Sequence, residues 1–176
     1  MPYEPFMEHF EKLGWKETRS ITLFDNNDFG LPPDDYGLLE SYCDDEDCDC
    51  RRVFLNIVSR KHNKIMAVVT YGWENEAFYY KWFGSVDSPF VHQAVKEMTG
   101  LGLNSASHQS KLAPAIMKMV GWALASDPAY VARLKRHYQM FKEKVDPKHF
   151  RKRKEITKAA PVSSRPHHRR PRSNDN

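Results

Sequence analysis

The 176-residue sequence lacks any apolar run approaching the roughly 20 residues that a membrane-spanning helix needs. Its first residues also lack the basic-then-apolar form of a signal peptide, so we expect a cytoplasmic protein without membrane association. The P-loop, G-x-S-x-G and H-E-x-x-H motifs are absent, and with them the enzyme classes that they define. Cysteine is scarce: an odd set of three falls within eight residues, which argues against a disulfide framework.

Charge is distributed unevenly along the chain, although the formal net charge is only +4. Residues 1–50 hold 14 acidic and 3 basic side chains, a net charge of −11, whereas residues 151–176 hold 9 basic and 2 acidic ones, a net charge of +7. This asymmetry fits attraction between the two parts within one fold. It fits equally an acidic metal-binding loop combined with a basic tail that binds a partner.

Length and periodicity predict one domain followed by a tail. We expect residues 1–149 to form a single α+β domain, and residues 150–176, which have no periodic apolar positions, to form a disordered basic tail. The predicted architecture is an antiparallel four-stranded meander with helices packed on one face, because the connections between strands are too short for parallel crossovers. Strands are predicted at 38–43, 52–60, 64–71 and 77–83, with a further short strand at 20–24.

Helices are indicated by apolar spacing and by capping residues. Ser88-Pro89 and Asp127-Pro128 each place an N-cap residue before a proline at the first helical position. The predicted helices cover residues 4–13, about 89–99, 111–125 and about 128–145.

The three cysteines form the pattern C-x4-C-x-C at the predicted hairpin tip between two strands. Thiolates from Cys43, Cys48 and Cys50 can converge there on a soft or borderline divalent cation, for which zinc is the default. Five acidic side chains in the same segment attract a cation and also raise thiol pKa values. Two alternatives stay open: three reduced cysteines packed at a strand end, or a redox pair.

A closed tetrahedral zinc site needs a fourth ligand. When the predicted strands and helices are followed up and down the sheet, the loop at 100–109 arrives beside the hairpin tip, which makes His108 the first choice. Asp44, Asp49 or a water molecule are alternatives, and a bound water would leave the metal open for catalysis.

The block YCxxxxCDCRRV, from Tyr42 to Val53, resembles a family of uncharacterised bacterial proteins. The segments Tyr-Gly-Trp-Glu at 71–74 and Asp-Pro-Ala-Tyr-Val at 127–131 carry the same resemblance, which covers residues 31–144. Some members of that family carry a C-terminal, cysteine-rich SEC-C zinc motif, but no cysteine follows Cys50 here, so this element is absent. The resemblance implies a metal-associated domain and supplies no activity.

Two further segments, the basic clusters near the C-terminus and an aromatic stretch, could bind other molecules. The basic clusters at 151–154 and 169–172 predict salt-sensitive binding to nucleic acid or another polyanion; the alternative is a solvated tail without a partner. The aromatic residues between positions 73 and 83 form either a base-stacking platform on a sheet or a packed cluster.

Together these features predict a non-enzymatic, zinc-binding domain that contacts nucleic acid or another polyanion through its tail. One alternative is a metal-dependent hydrolase in which Asp49 or Glu46 acts as general base on metal-bound water. A second alternative is a protein-interaction module that uses exposed aromatic side chains such as Trp82.

Overall fold

The computed structural model describes residues 3–147, and the expected basic tail at 150–176 lies outside them. The described chain is an α+β domain, and none of its helices is long and apolar enough to cross a membrane. In chain order the elements are β1 (Tyr3–Pro5), α1 (Phe6–His9), α2 (Glu11–Glu17), β2 (Arg19–Leu23), β3 (Asp34–Cys43), β4 (Arg52–Ser59), β5 (Lys64–Gly72), α3 (Glu76–Trp82), α4 (Pro89–Met98), β6 (Gly100–Leu103), α5 (Ala113–Ser126) and α6 (Pro128–Val145).

The sheet is antiparallel throughout, as predicted, but it has six strands rather than four. Its order is β1-β3-β4-β5-β6, and β2 pairs with β3 as well. Along β3, the end of the strand pairs with β1, where Tyr3 lies opposite Cys43, and its start pairs with β2, where Leu23 lies opposite Asp34. The two short strands therefore lie one after the other along the same edge of β3.

The segment 77–83, predicted as a strand, is the helix α3. Its aromatic residues follow one another so closely that they suit either element, but Asn75 decides the outcome: its side chain accepts a hydrogen bond from the Phe78 backbone N–H at 3.0 Å and caps a helix. The unpredicted strands β1 and β6 have only three and four residues, and the Gly-Leu-Gly-Leu sequence of β6 carries little strand propensity.

The helices lie on both faces of the sheet rather than on one. Neighbouring residues of a strand point to opposite faces, so Tyr42 and Cys43 belong to different clusters. The larger cluster packs α5 and α6 against the face that carries Tyr42. The smaller one packs α3 and α4 around Cys43 and Cys50, where Val95 is completely buried.

Gly72 allows α3 and α4 to approach the end of β5 closely. A side-chain carbon at this position would overlap the backbone carbonyl oxygen of Met98 and would lie 2.6 Å from the hydroxyl of Tyr79. Only glycine leaves room for both helices to reach the strand end that lies next to the cysteine loop.

Candidate metal centre

The loop between β3 and β4 brings all three cysteine sulfurs together. The Sγ atoms of Cys43, Cys48 and Cys50 all lie within 4.8 Å of one another. Cys43 and Cys50 are completely buried and Cys48 is half-buried. Zn–S bonds of about 2.3 Å in a tetrahedron put the sulfurs about 3.8 Å apart, so small side-chain movements would suffice for coordination. The predicted convergence of the cysteines is confirmed, and the group is compatible with metal binding.

Two residues of the loop adopt left-handed backbone conformations. Asp47 has φ of 62° within a tight turn, in which the Cys48 N–H donates to the Asp45 carbonyl oxygen at 3.3 Å. Arg51 has φ of 45°, which is unfavourable for a long side chain. Its guanidinium binds Glu74 at 2.9 Å across the loop, and this ion pair helps to hold the strained residue in place.

Two polar residues in the C-terminal half of α6 and the C-cap residue that follows the helix bind the loop, and their spacing of four places them on one side of the helix. Helix α6 therefore determines the shape of the loop at several separate points. The hydrogen bonds run from the Tyr138 hydroxyl to Asp49 Oδ1 (2.9 Å), from Lys142 Nζ to the carbonyl oxygens of Asp45 (2.8 Å) and Cys43 (3.4 Å), and from the Asp47 N–H to Asp146 Oδ2 (2.9 Å).

The three thiols are hydrogen-bonded to one another, and these bonds shift their pKa values. Hydrogen bonds from Cys48 and Cys50 lower the pKa of the Cys43 thiol, and the buried ammonium group of Lys142 lowers it further. The same hydrogen bonds to Cys43 raise the pKa of Cys48 and of Cys50. The three thiols are thus coupled to one another, and a bound cation would favour their ionisation with release of protons.

His108 does not join the cysteines. Residues 100–103, predicted to belong to a loop, form β6, in which Gly100 lies opposite Gly72 at the cysteine end of the sheet. From there the chain runs back along β5, and the Ser110 N–H donates to the Met66 carbonyl oxygen at 3.0 Å. Six residues of strand, roughly 20 Å, separate Met66 from Gly72. The predicted position of His108 at the hairpin tip is therefore wrong, and among the described residues the metal-binding group contains the three cysteines alone.

The two aspartates weighed as ligands differ in their hydrogen bonds. Both carboxylate oxygens of Asp49 are engaged, Oδ1 by Tyr138 and Oδ2 by Arg51 Nε at 3.1 Å. Asp44 Oδ1, next to Cys43 in sequence, is buried and finds no hydrogen-bond partner among residues 3–147. Within these residues Asp44 therefore has an oxygen without a partner, whereas each oxygen of Asp49 already accepts a hydrogen bond.

A second buried polar cluster, which the sequence did not predict, lies in the larger core. His137 is 1% exposed, and its ring nitrogens lie 2.7 Å from Glu40 Oε2 and 2.9 Å from Glu17 Oε2. The Tyr42 hydroxyl also donates to Glu40, at 2.8 Å. One signal was available: His137 lies between Leu134 and Phe141 at helical spacing on the apolar stripe of α6.

The aromatic residues of α3 pack around the cysteines. Tyr79 is completely buried, and its hydroxyl donates to the Arg51 carbonyl oxygen at 3.2 Å. Phe78, Trp82 and their aromatic neighbours are partly buried against the same cluster. Because this segment is helical, its aromatic side chains do not form a base-stacking platform on a sheet.

No family model, no curated protein and no solved structure matches this chain. The resemblance carried by the YCxxxxCDCRRV block therefore stays a prediction.

Proposed function

We propose that this chain is a non-enzymatic metal-binding domain, in which Cys43, Cys48 and Cys50 hold a zinc ion at the tip of the β3–β4 hairpin. The observation that supports the proposal is the mutual approach of the three sulfurs to within 4.8 Å. Thiolate donors favour zinc among the common divalent cations. The three cysteines alone form the group, so the fourth position falls to a solvent molecule or, after movement of its side chain, to Asp44, whose buried oxygen lacks a partner in the described region.

In this proposal the ion has a structural role. The loop lies between α6, which binds it through Tyr138 and Lys142, and the α3–α4 pair, which packs on Cys43 and Cys50. An ion shared by the three sulfurs would therefore link both layers of helices to the sheet. The hydrolase alternative is less well supported, because both oxygens of Asp49, one of its two candidate general bases, accept hydrogen bonds from other side chains, and the other, Glu46, is exposed and lies outside the three-cysteine group.

The test is the zinc content of the full chain purified without a histidine tag, measured by mass spectrometry together with free thiols under denaturing conditions. We expect about one zinc per chain, little in Cys48→Ser, and an unchanged content in the matched control His108→Ala. Three free thiols without zinc would favour simple packing of reduced cysteines, and one free thiol would favour a redox pair. Loss of zinc in His108→Ala would contradict the site as described.

We also propose that the protein is cytoplasmic and that its basic clusters at 151–154 and 169–172 bind nucleic acid. The support is compositional: seven of the eight residues in these clusters are Arg or Lys hydrogen-bond donors with permanent charge, and the remaining one is proline. Binding of a short DNA duplex should weaken steeply between low and high salt, and should be lost when residues 150–176 are removed. Equal affinity with and without those residues would refute the role of the tail.

A further inference from the structure

A cavity of about 360 Å³ lies between α4 and the sheet, on the face that carries the cysteines. This volume falls in the range of sites that bind small molecules. Its walls are mostly apolar and come from five strands and helices, β1, β4, β5, α4 and β6, together with the residues that follow α3 and β6. They include Phe54 on β4, Phe90 and Met98 on α4, Leu103 on β6 and Phe83 at the end of α3.

One cation lines this apolar cavity. Arg52 is only 7% exposed, its Nη2 donates to the Glu97 carbonyl oxygen at 3.2 Å, and its Nε is buried without any hydrogen-bond partner in the described chain. The guanidinium lies 5.4 Å from the ring centre of Phe54. Glu97 also lines the cavity, but its carboxylate accepts a hydrogen bond from Gln93 at 2.8 Å and forms no ion pair with Arg52.

A buried guanidinium is costly unless an anion and further acceptors satisfy it. Arg52 forms no ion pair within residues 3–147, whereas its neighbour Arg51 forms two, with Asp49 and Glu74. A nearly buried guanidinium that lines an apolar cavity and has no carboxylate partner in the described chain is the arrangement that an anionic ligand with a hydrophobic body would complete. A planar carboxylate matches the planar donor edge of guanidinium better than a spherical anion does.

We propose that the cavity binds a small carboxylic acid with an aromatic or branched aliphatic body, whose carboxylate accepts hydrogen bonds from Arg52. The body would lie among Phe54, Phe90 and Met98, and the rim at Ser105 and Ala106 would remain open to solvent. This site contains none of the three cysteines, so it does not depend on the proposed zinc ion.

The probes are 4-phenylbutyrate and its neutral amide, titrated into the isotope-labelled full chain and followed by backbone amide chemical shifts. A ligand of about a dozen heavy atoms should bind with a dissociation constant in the millimolar range. We expect saturable shifts at residues that line the cavity, and an affinity for the amide at least about tenfold weaker, since it forfeits the charge-assisted bond.

Three variants make the test specific. Arg52→Met should reduce the affinity for the acid to that for the amide, while the exposed control Arg60→Met should leave it unchanged. Ala94→Phe should abolish binding of both probes by filling the cavity. Because it leaves Arg52 in place, it tests the site even if Arg52→Met folds poorly.

Three results would overturn the proposal. These are absence of saturable shifts in the cavity of the native chain, equal affinity for acid and amide, and an equal loss in Arg60→Met and Arg52→Met, which would indicate non-specific charge attraction. Zinc content is measured on the same samples. A chain that lacks zinc but binds the acid would contradict the proposed metal function alone.

Discussion

Replacing Tyr138 with phenylalanine tests how far α6 stabilises the cysteine loop. The substitution removes one hydroxyl, which donates to Asp49 Oδ1 at 2.9 Å, and keeps the ring that packs edge-on against Trp73 at 5.2 Å. Tyr138 is 2% exposed and Asp49 is 7% exposed, so water does not replace the lost bond freely. The substitution therefore removes one hydrogen bond from the buried carboxylate of Asp49 and preserves the packing of the core.

The expected loss of stability follows from the negative charge of the Asp49 carboxylate, which accepts the hydrogen bond. Hydrogen bonds to charged groups contribute about 1.5–3 kcal/mol. With about 145 described residues, the entropy of unfolding is about 0.3 kcal/mol per degree, so the melting temperature should fall by about 5–10 °C. Tyr71→Phe is the matched control, because Tyr71 is half-buried and its hydroxyl makes no hydrogen bond within the described residues.

Urea unfolding and thermal melting, each with zinc and with a chelator, provide the measurement. Tyr138→Phe should be less stable than Tyr71→Phe under both conditions, since the hydroxyl contacts the loop rather than the ion. If the two variants were equally stable, the contact between Tyr138 and Asp49 would contribute nothing, and the proposed anchoring by α6 would be refuted.

Two further predictions concern the sheet. Gly72→Ala should lower stability by about 1–3 kcal/mol or more, because its new methyl group meets the Met98 carbonyl oxygen, whereas Gly37→Ala, with nothing within 4 Å, should be nearly neutral in urea unfolding. Burial raises the pKa of Asp34, but hydrogen bonds from Ser59 and two backbone amides outweigh it, so the pKa is lowered. The resulting stability is present above the ordinary aspartate pKa near 3.9 and is lost as the pH falls through the lower folded value. Unfolding of the native chain should therefore depend on pH below about 4 more steeply than that of Asp34→Asn; equal slopes would contradict this prediction.

Local signals predicted most of the elements. Ser88 and Asp127 cap α4 and α6 as their positions before proline indicated, accepting hydrogen bonds from Val91 N–H at 3.2 Å and Tyr130 N–H at 3.0 Å. β4 and β5 occupy the expected segments because both are rich in β-branched residues and are joined by a short turn, whereas β3, which has none, begins four residues before the predicted segment 38–43. These features depend on residues close together in sequence, which is why sequence patterns capture them.

Long-range contacts could not be predicted in the same way. The cysteines converge because they share one loop, which spacing alone indicates, but Lys142 reaches that loop from about a hundred positions away. Gly100 lies at the cysteine end of the sheet, as expected, but residues 100–103 form β6 rather than a loop, and this strand carries the chain back along β5 before it reaches His108. An error in one short element thus moved a proposed ligand from one end of the sheet to the other.

The contacts between α6 and the loop also bear on what zinc would contribute. Small zinc domains fold only with their metal, because little else orders the ligands. Here Cys43 and Cys50 are completely buried, and α6 holds the loop through side chains that need no ion. Much of the ordering entropy is therefore offset by protein contacts, so zinc should bind to a largely preformed site and add stability by mass action. Chelation should lower the melting temperature while leaving the core between α5, α6 and the sheet folded.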